Sequence, residues 1–97
     1  MSTRPQAVPR KLEESDRVIV TEWTFAPGGE TGWHRHGLDY VVVYRTPATL
    51  RIEGPGGTVS SMTLAAGDSY FRRAGVEHNV INDSANALIF VEVELKG

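Results

Sequence analysis

Three imidazoles make up the whole histidine complement of this chain of 97 residues, and their placing invites a chemical reading. His34 and His36 stand two apart in GWHRHGLDY, and in a strand that spacing points both rings to one face. His78 follows in GVEHNVIN, after a glycine turn, with Asn82 at the same parity. Neutral imidazole is a good donor for zinc, copper, iron or nickel. Two rings from one strand and a third from a neighbour make a facial set of three, leaving positions open for water or substrate.

Such rings need a rigid frame. RVIVTEWTF (17–25) is rich in β-branched and aromatic residues and reads as a strand, and APGGE (26–30) reads as a turn. DYVVVYR follows Gly37 as a second long strand. TLRIE and TVSSMTL flank GPGG (54–57), a hairpin tip. AAGD leads into SYFRR, AGVE into HNVIN, and DSAN into ALIFVEVELK. Turn signals recur roughly every 8–12 residues, the spacing of an all-β sandwich or barrel. No segment carries an apolar stripe at helical period; KLEESDR has room for one helical turn. Residues 1–16 are polar, with Pro5 and Pro9, and read as an extended arm, loose or laid across a partner. Residues 17–97 read as one barrel domain. A core this small makes self-association a fair expectation, and a homodimer is expected.

Composition narrows the functions. A formal net charge of −2 argues against a broad grip on nucleic acid or anionic membrane. No apolar run approaches the roughly 20 residues of a membrane span, and the start lacks a signal-segment pattern. Without cysteine there is neither a disulfide framework nor a thiol ligand. The expected location is the cytoplasm.

The two histidine segments resemble the signature motifs of the cupin superfamily. The first runs glycine, five residues, His-x-His, three or four residues, glutamate; Gly28, His34 and His36 match it. The second runs glycine, five residues, Pro-x-Gly, two residues, His, three residues, Asn; Gly67, Gly75, His78 and Asn82 match it, with Arg73 where proline is usual. The closer wording, HRHxxDYVVV and AGVEHNVIN, is similar to short single-domain bacterial cupins, some of them associated with β-alanine degradation. The resemblance implies a double-stranded β-helix, or jelly-roll barrel, with a divalent transition metal (iron, nickel, manganese, copper or zinc) on His34, His36 and His78. A lone His-x-His reads more readily as half-buried strand residues; the matching His78 shifts the reading to a metal.

One departure matters. The motif glutamate belongs at position 40 or 41, where this chain has Tyr40 and Val41, with Asp39 one place early. Three readings stay open: Tyr40 lines the pocket beside a three-histidine metal, Asp39 becomes a fourth ligand through a bulge at Gly37, or the metal site has decayed. An ion held by neutral imidazoles alone keeps its full charge, favours an anionic small molecule, and lowers the pKa of bound water, to about 7 in the best zinc cases. In site chemistry alone this resembles thiol dioxygenases, with iron on three histidines.

Other residues read more plainly. Asn82 is expected to bond a turn. Trp23, Phe25, Trp33, Tyr44, Tyr70, Phe71 and Phe90 are expected in the core or an interface. The arginines are expected on solvated faces, with Arg73 near the pocket mouth. Glu92 and Glu94, alternating with Val91, Val93 and Leu95, read as an ordinary half-exposed strand. Inward candidates for proton transfer are Tyr40, Asp39 and Glu22. The expected function is a metal-dependent enzyme of small-molecule metabolism, doing oxidation, isomerisation or lyase chemistry, with Tyr40 or Asp39 as proton donor. The alternative is a binding or sensor barrel without turnover.

Overall fold

Branched and aromatic runs separated by glycine turns become strands that stack into two layers in the computed structural model, which describes residues 3–97. The strands are β1 (Val8–Glu14), β2 (Val18–Phe25), β3 (His34–Arg35), β4 (Asp39–Tyr44), β5 (Ala48–Glu53), β6 (Val59–Leu64), β7 (Ser69–Arg72), β8 (Glu77–Asn82) and β9 (Leu88–Leu95). A 3₁₀ turn, Pro55–Gly57, caps the β5–β6 hairpin. One sheet has the order β1-β2-β9-β4-β7 and the other β3-β8-β5-β6, with antiparallel pairing between the strands. This is the all-β barrel expected from the turn spacing.

Period-2 alternation sets which side chains point inward. On β4, Tyr40, Val42 and Tyr44 are buried, while Asp39, Val41 and Val43 are less so. Register then builds rows on the inner face. Tyr40 lies between Arg72 and Glu94, Val42 between Tyr70 and Glu92, and Phe90 between Tyr44 and Trp23. One end of the barrel is filled by Phe25, Tyr44, Ala48, Leu50, Leu88 and Phe90, with Phe25–Phe90 and Tyr44–Phe90 ring centroids each 5.3 Å apart. Each of the leucine and phenylalanine side chains contributes about 1.5–3 kcal/mol by leaving water. The other end carries the polar side chains and is hollow.

Asn82 closes the apolar end and bonds turns, as its sequence position suggested. It is fully buried; its Nδ2 donates to the carbonyls of Ala26 (3.1 Å) and Asn86 (2.8 Å), and its Oδ1 accepts from Ser84 (2.8 Å). Its backbone bonds Gly28 and Gly29, where Gly28 has the left-handed φ of +74° that favours glycine.

The N-terminal arm is strand over Val8–Glu14, paired with β2 at the edge of the larger sheet; Met1 and Ser2 lie outside the described residues. Upstream, Pro5 and Ala7 exchange backbone bonds with Glu30. The helical turn allowed to KLEESDR does not form. Its first half continues β1, with a register shift between Lys11 and Glu13, and Ser15 Oγ accepts from the Arg17 and Val18 amides to turn the chain.

Candidate metal centre

His34 is brought to His78 by direct register in the β3–β8 pair. His36 lies just past β3. It is pinned by two backbone bonds, its N–H to the Val76 carbonyl (2.9 Å) and its carbonyl to the Gly75 N–H (2.8 Å). Gly75 has φ +100°, so the turn before β8 and the ring of His36 are fixed together.

The three rings meet at their Nε2 atoms. His34 and His36 Nε2 are 3.0 Å apart, and His36 and His78 Nε2 are 3.2 Å apart. The outer nitrogens show which way the lone pairs face. His34 Nδ1 is 2.9 Å from the Gly32 carbonyl, which accepts its proton and leaves the inward Nε2 as a lone pair. His36 Nδ1 faces the Glu92 carboxylate at 4.0 Å, an ion-pair separation too long for a hydrogen bond. Burial, with His34 adding, holds His36 down to about 4. Burial, then His34, His36 and Arg72, hold His78 at about 4. Three converging imidazoles at this spacing, with His36 and His78 held neutral, are the donor set a divalent transition ion requires, so the residues fit the metal that the motifs imply.

A support lies behind His34. Asn79 Oδ1 accepts from the Gly32 N–H (3.0 Å), and its Nδ2 donates to Glu30 (2.8 Å). The loop carrying the Gly32 carbonyl is thereby tied to β8.

Tyr40, at the position of the motif glutamate, stacks on His36 with ring centroids 3.8 Å apart and planes 17° apart. Its hydroxyl is buried without a hydrogen-bond partner. Burial pushes the phenol up, Tyr70 and Glu92 add to the rise, and Arg72 opposes it. Asp39 is not brought to the rings. Its Oδ1 accepts from the Ala74 N–H at 2.7 Å, which caps the turn before β8 and leaves no bulge to re-aim it. Glu22 does not point inward either: it is ion-paired with Arg10 and Arg45. Arg73 lies over Phe71, 6.0 Å from its centroid.

Glu92 and Glu94 correct the sequence reading. Both line a cavity of about 250 Å³ beside the imidazoles, with Trp23, Tyr40, Tyr70 and Phe90 among its other walls. Alternation on β9 was legible, but alternation alone does not say which face is the core. Here the valines face out and the carboxylates face in. Burial pushes Glu92 up to about 7, Glu94 adds to the rise, and the Trp23 indole N–H opposes it. That N–H is buried and makes no hydrogen bond of ordinary geometry. Arg72 also belongs to the inner face, its guanidinium 4.3 Å from the Tyr70 centroid.

Comparison with known proteins agrees with the motifs. Residues 21–94 match the family described as Cupin domain. The chain is 60% identical over 96 residues to the "Beta-alanine degradation protein BauB" of Pseudomonas aeruginosa, covering 99% of this chain and all of that one. A cupin domain of known structure from Bordetella pertussis is 52% identical, with each chain fully covered and a TM-score of 0.94. The polyketide cyclase RemF of Streptomyces resistomycificus shares the fold at 20% identity and a TM-score of 0.74, over 99% of this chain and 71% of that one.

Proposed function

The chain belongs to the cupin family, and from that premise we propose that it is a metal-dependent enzyme acting on a small metabolite in β-alanine breakdown, the process named in its Pseudomonas relative. The observation that carries the reading is the convergence of three imidazole Nε2 atoms at 3.0 and 3.2 Å, with His34 held in the right tautomer by Gly32. His34, His36 and His78 would hold the ion, whether iron, nickel, manganese, copper or zinc. When bound, such an ion polarises a ligand oxygen and acidifies bound water.

The chain's own groups support proton handling beside it. Tyr40 keeps its proton at Oη throughout the neutral range, because burial disfavours the phenolate. Glu92, pushed up to about 7, is poised to accept or return a proton near neutrality. The aromatic walls limit water around both groups, and the cavity of about 250 Å³ suits a metabolite smaller than a typical drug-sized ligand.

Elemental analysis of untagged protein tests the reading. Wild type should carry close to one transition-metal ion per chain, or take one up on reconstitution. His36→Ala and His78→Ala should lose at least about tenfold in occupancy while keeping the wild-type circular dichroism. Wild type that takes up no metal, or a His36→Ala protein at full occupancy, would sink the proposal.

A further inference from the structure

Carboxylates, imidazoles and an unpaired hydroxyl gather around one cavity. The three imidazoles line it. Beside them, with the Glu92 carboxylate 4.0 Å from His36 Nδ1, are Glu92, 9% exposed, and Glu94, on successive inward positions of β9. Tyr40, 2% exposed and stacked on His36, lines the same cavity, and its hydroxyl is buried with no hydrogen-bond partner in the protein. A buried polar atom left unpaired is destabilising unless something bonds it. The cavity's other walls include the aromatic rings of Trp23, Tyr40, Tyr70 and Phe90. Two carboxylates, a phenol oxygen and aromatic faces form a surface that attracts a cation and offers one acceptor for each N–H of a primary ammonium. Arg35, at the cavity wall, brings positive charge to the same hollow, and Arg72 stands beside Tyr40 on its inner-face row. Both signs of charge therefore border the cavity.

We propose that it takes a small amine-bearing carboxylic acid, its ammonium seated on Glu92, Glu94 and Tyr40 Oη and its acid end toward the three imidazoles. The acid end rests on the metal reading above; the ammonium seat does not. The proposal revises the anionic ligand expected from the sequence to one carrying both charges, because the inward carboxylates offset the charge of a metal held by neutral rings.

Calorimetric titration can test the two ends separately. The ligands are three matched pairs (glycine and acetate, β-alanine and propionate, 4-aminobutyrate and butyrate) together with propylamine. The proteins are wild type, Glu92→Gln and Glu94→Gln, each reconstituted and assayed for metal content. At least one amino acid should bind wild type tenfold or more tighter than its amine-free partner. In both variants, at unchanged metal content, that ratio should fall toward one. Equal affinity within every pair, a ratio untouched by both substitutions, or no binding by any amine overturns the proposal and leaves the metal reading standing. A second ion per chain, lost in Glu92→Gln, would assign the carboxylates to a metal and also overturn it. If wild type takes up no metal yet propylamine binds and both variants abolish that binding, the metal reading fails and the ammonium seat stands.

Discussion

Glu92 lies between Thr21 and Val42 on the inner face, a carboxylate buried in a row of otherwise neutral residues. Its folded pKa is raised to about 7 from an ordinary 4.5, so its stabilising contribution is fully present below pH 4.5 and is lost as pH rises through 7. Glu92→Gln removes that loss. Metal-free Glu92→Gln should melt with wild type near pH 4.5 and above it at pH 8, by at least about 1 kcal/mol or roughly 4–8 °C for a chain of this size. His36 and His78 work in the opposite direction. Both are lowered to about 4 from 6.5, so the stability they contribute is present above pH 6.5 and is lost as pH falls toward 4. Wild type should therefore show a stability maximum in the mildly acid range, whereas Glu92→Gln should rise to a plateau above about pH 6.5. Calorimetric melting of the metal-free proteins from pH 4 to 8 checks both curves; superimposable profiles would show that Glu92 is not buried as a strained carboxylate.

At the scale of elements, β8 holds the centre together. It supplies His78, aligns it with His34, and through Asn79 anchors the loop whose Gly32 carbonyl sets the His34 tautomer. Asn79→Ala removes that anchor without touching a ligand nitrogen. Its expected effect is a loss of about tenfold or more in metal affinity, measured by competition with a chromogenic chelator. Unchanged affinity would mean that Gly32 holds its place unaided. These elements differ in how plainly the sequence announces them. The His-x-His pair, His78 and Asn82 stand at spacings that strand geometry converts directly into shared faces, and the glycine turns mark where strands end. Two classes of feature were hidden. Asn79 lies one place from His78 and acts through backbone groups 47 residues away, a contact that only β3–β8 pairing creates. On β9 the period was visible but its phase was not, since EVEL fits an outward-carboxylate strand as well as this inward one. KLEESDR had room for one turn of helix because its charges sit well on either structure, and pairing with β2 decides for strand.

The whole molecule presents a consequence of the β9 phase. With Glu92 and Glu94 inward, the outer face of the larger sheet gathers Val91 and Val93 of β9 beside Val20 of β2, Val41 and Val43 of β4, and Phe71 of β7. Val43 is 37% exposed and Phe71 46% exposed. Arg10 of β1, Glu22 of β2 and Arg45, just past β4, form an ion-paired group. An apolar centre with a polar margin is the anatomy of a protein interface. Strand β1 points the same way: all seven of its residues are exposed, and Val8 and Leu12 leave apolar surface in water on a sheet edge. Four strands about 4.8 Å apart and about six residues long give a footprint of roughly 400 Å², and β1 extends it toward the roughly 800 Å² per partner of a stable association. The expected occupant is a second copy, because an isologous contact places the same apolar centre on both sides. Light scattering at micromolar concentration should then give twice the chain mass of 10.6 kDa, and Val93→Lys should return the mass to that of one chain without unfolding the barrel. A wild type that runs as a single chain, or a Val93→Lys protein that stays paired, would move the interface elsewhere or remove it.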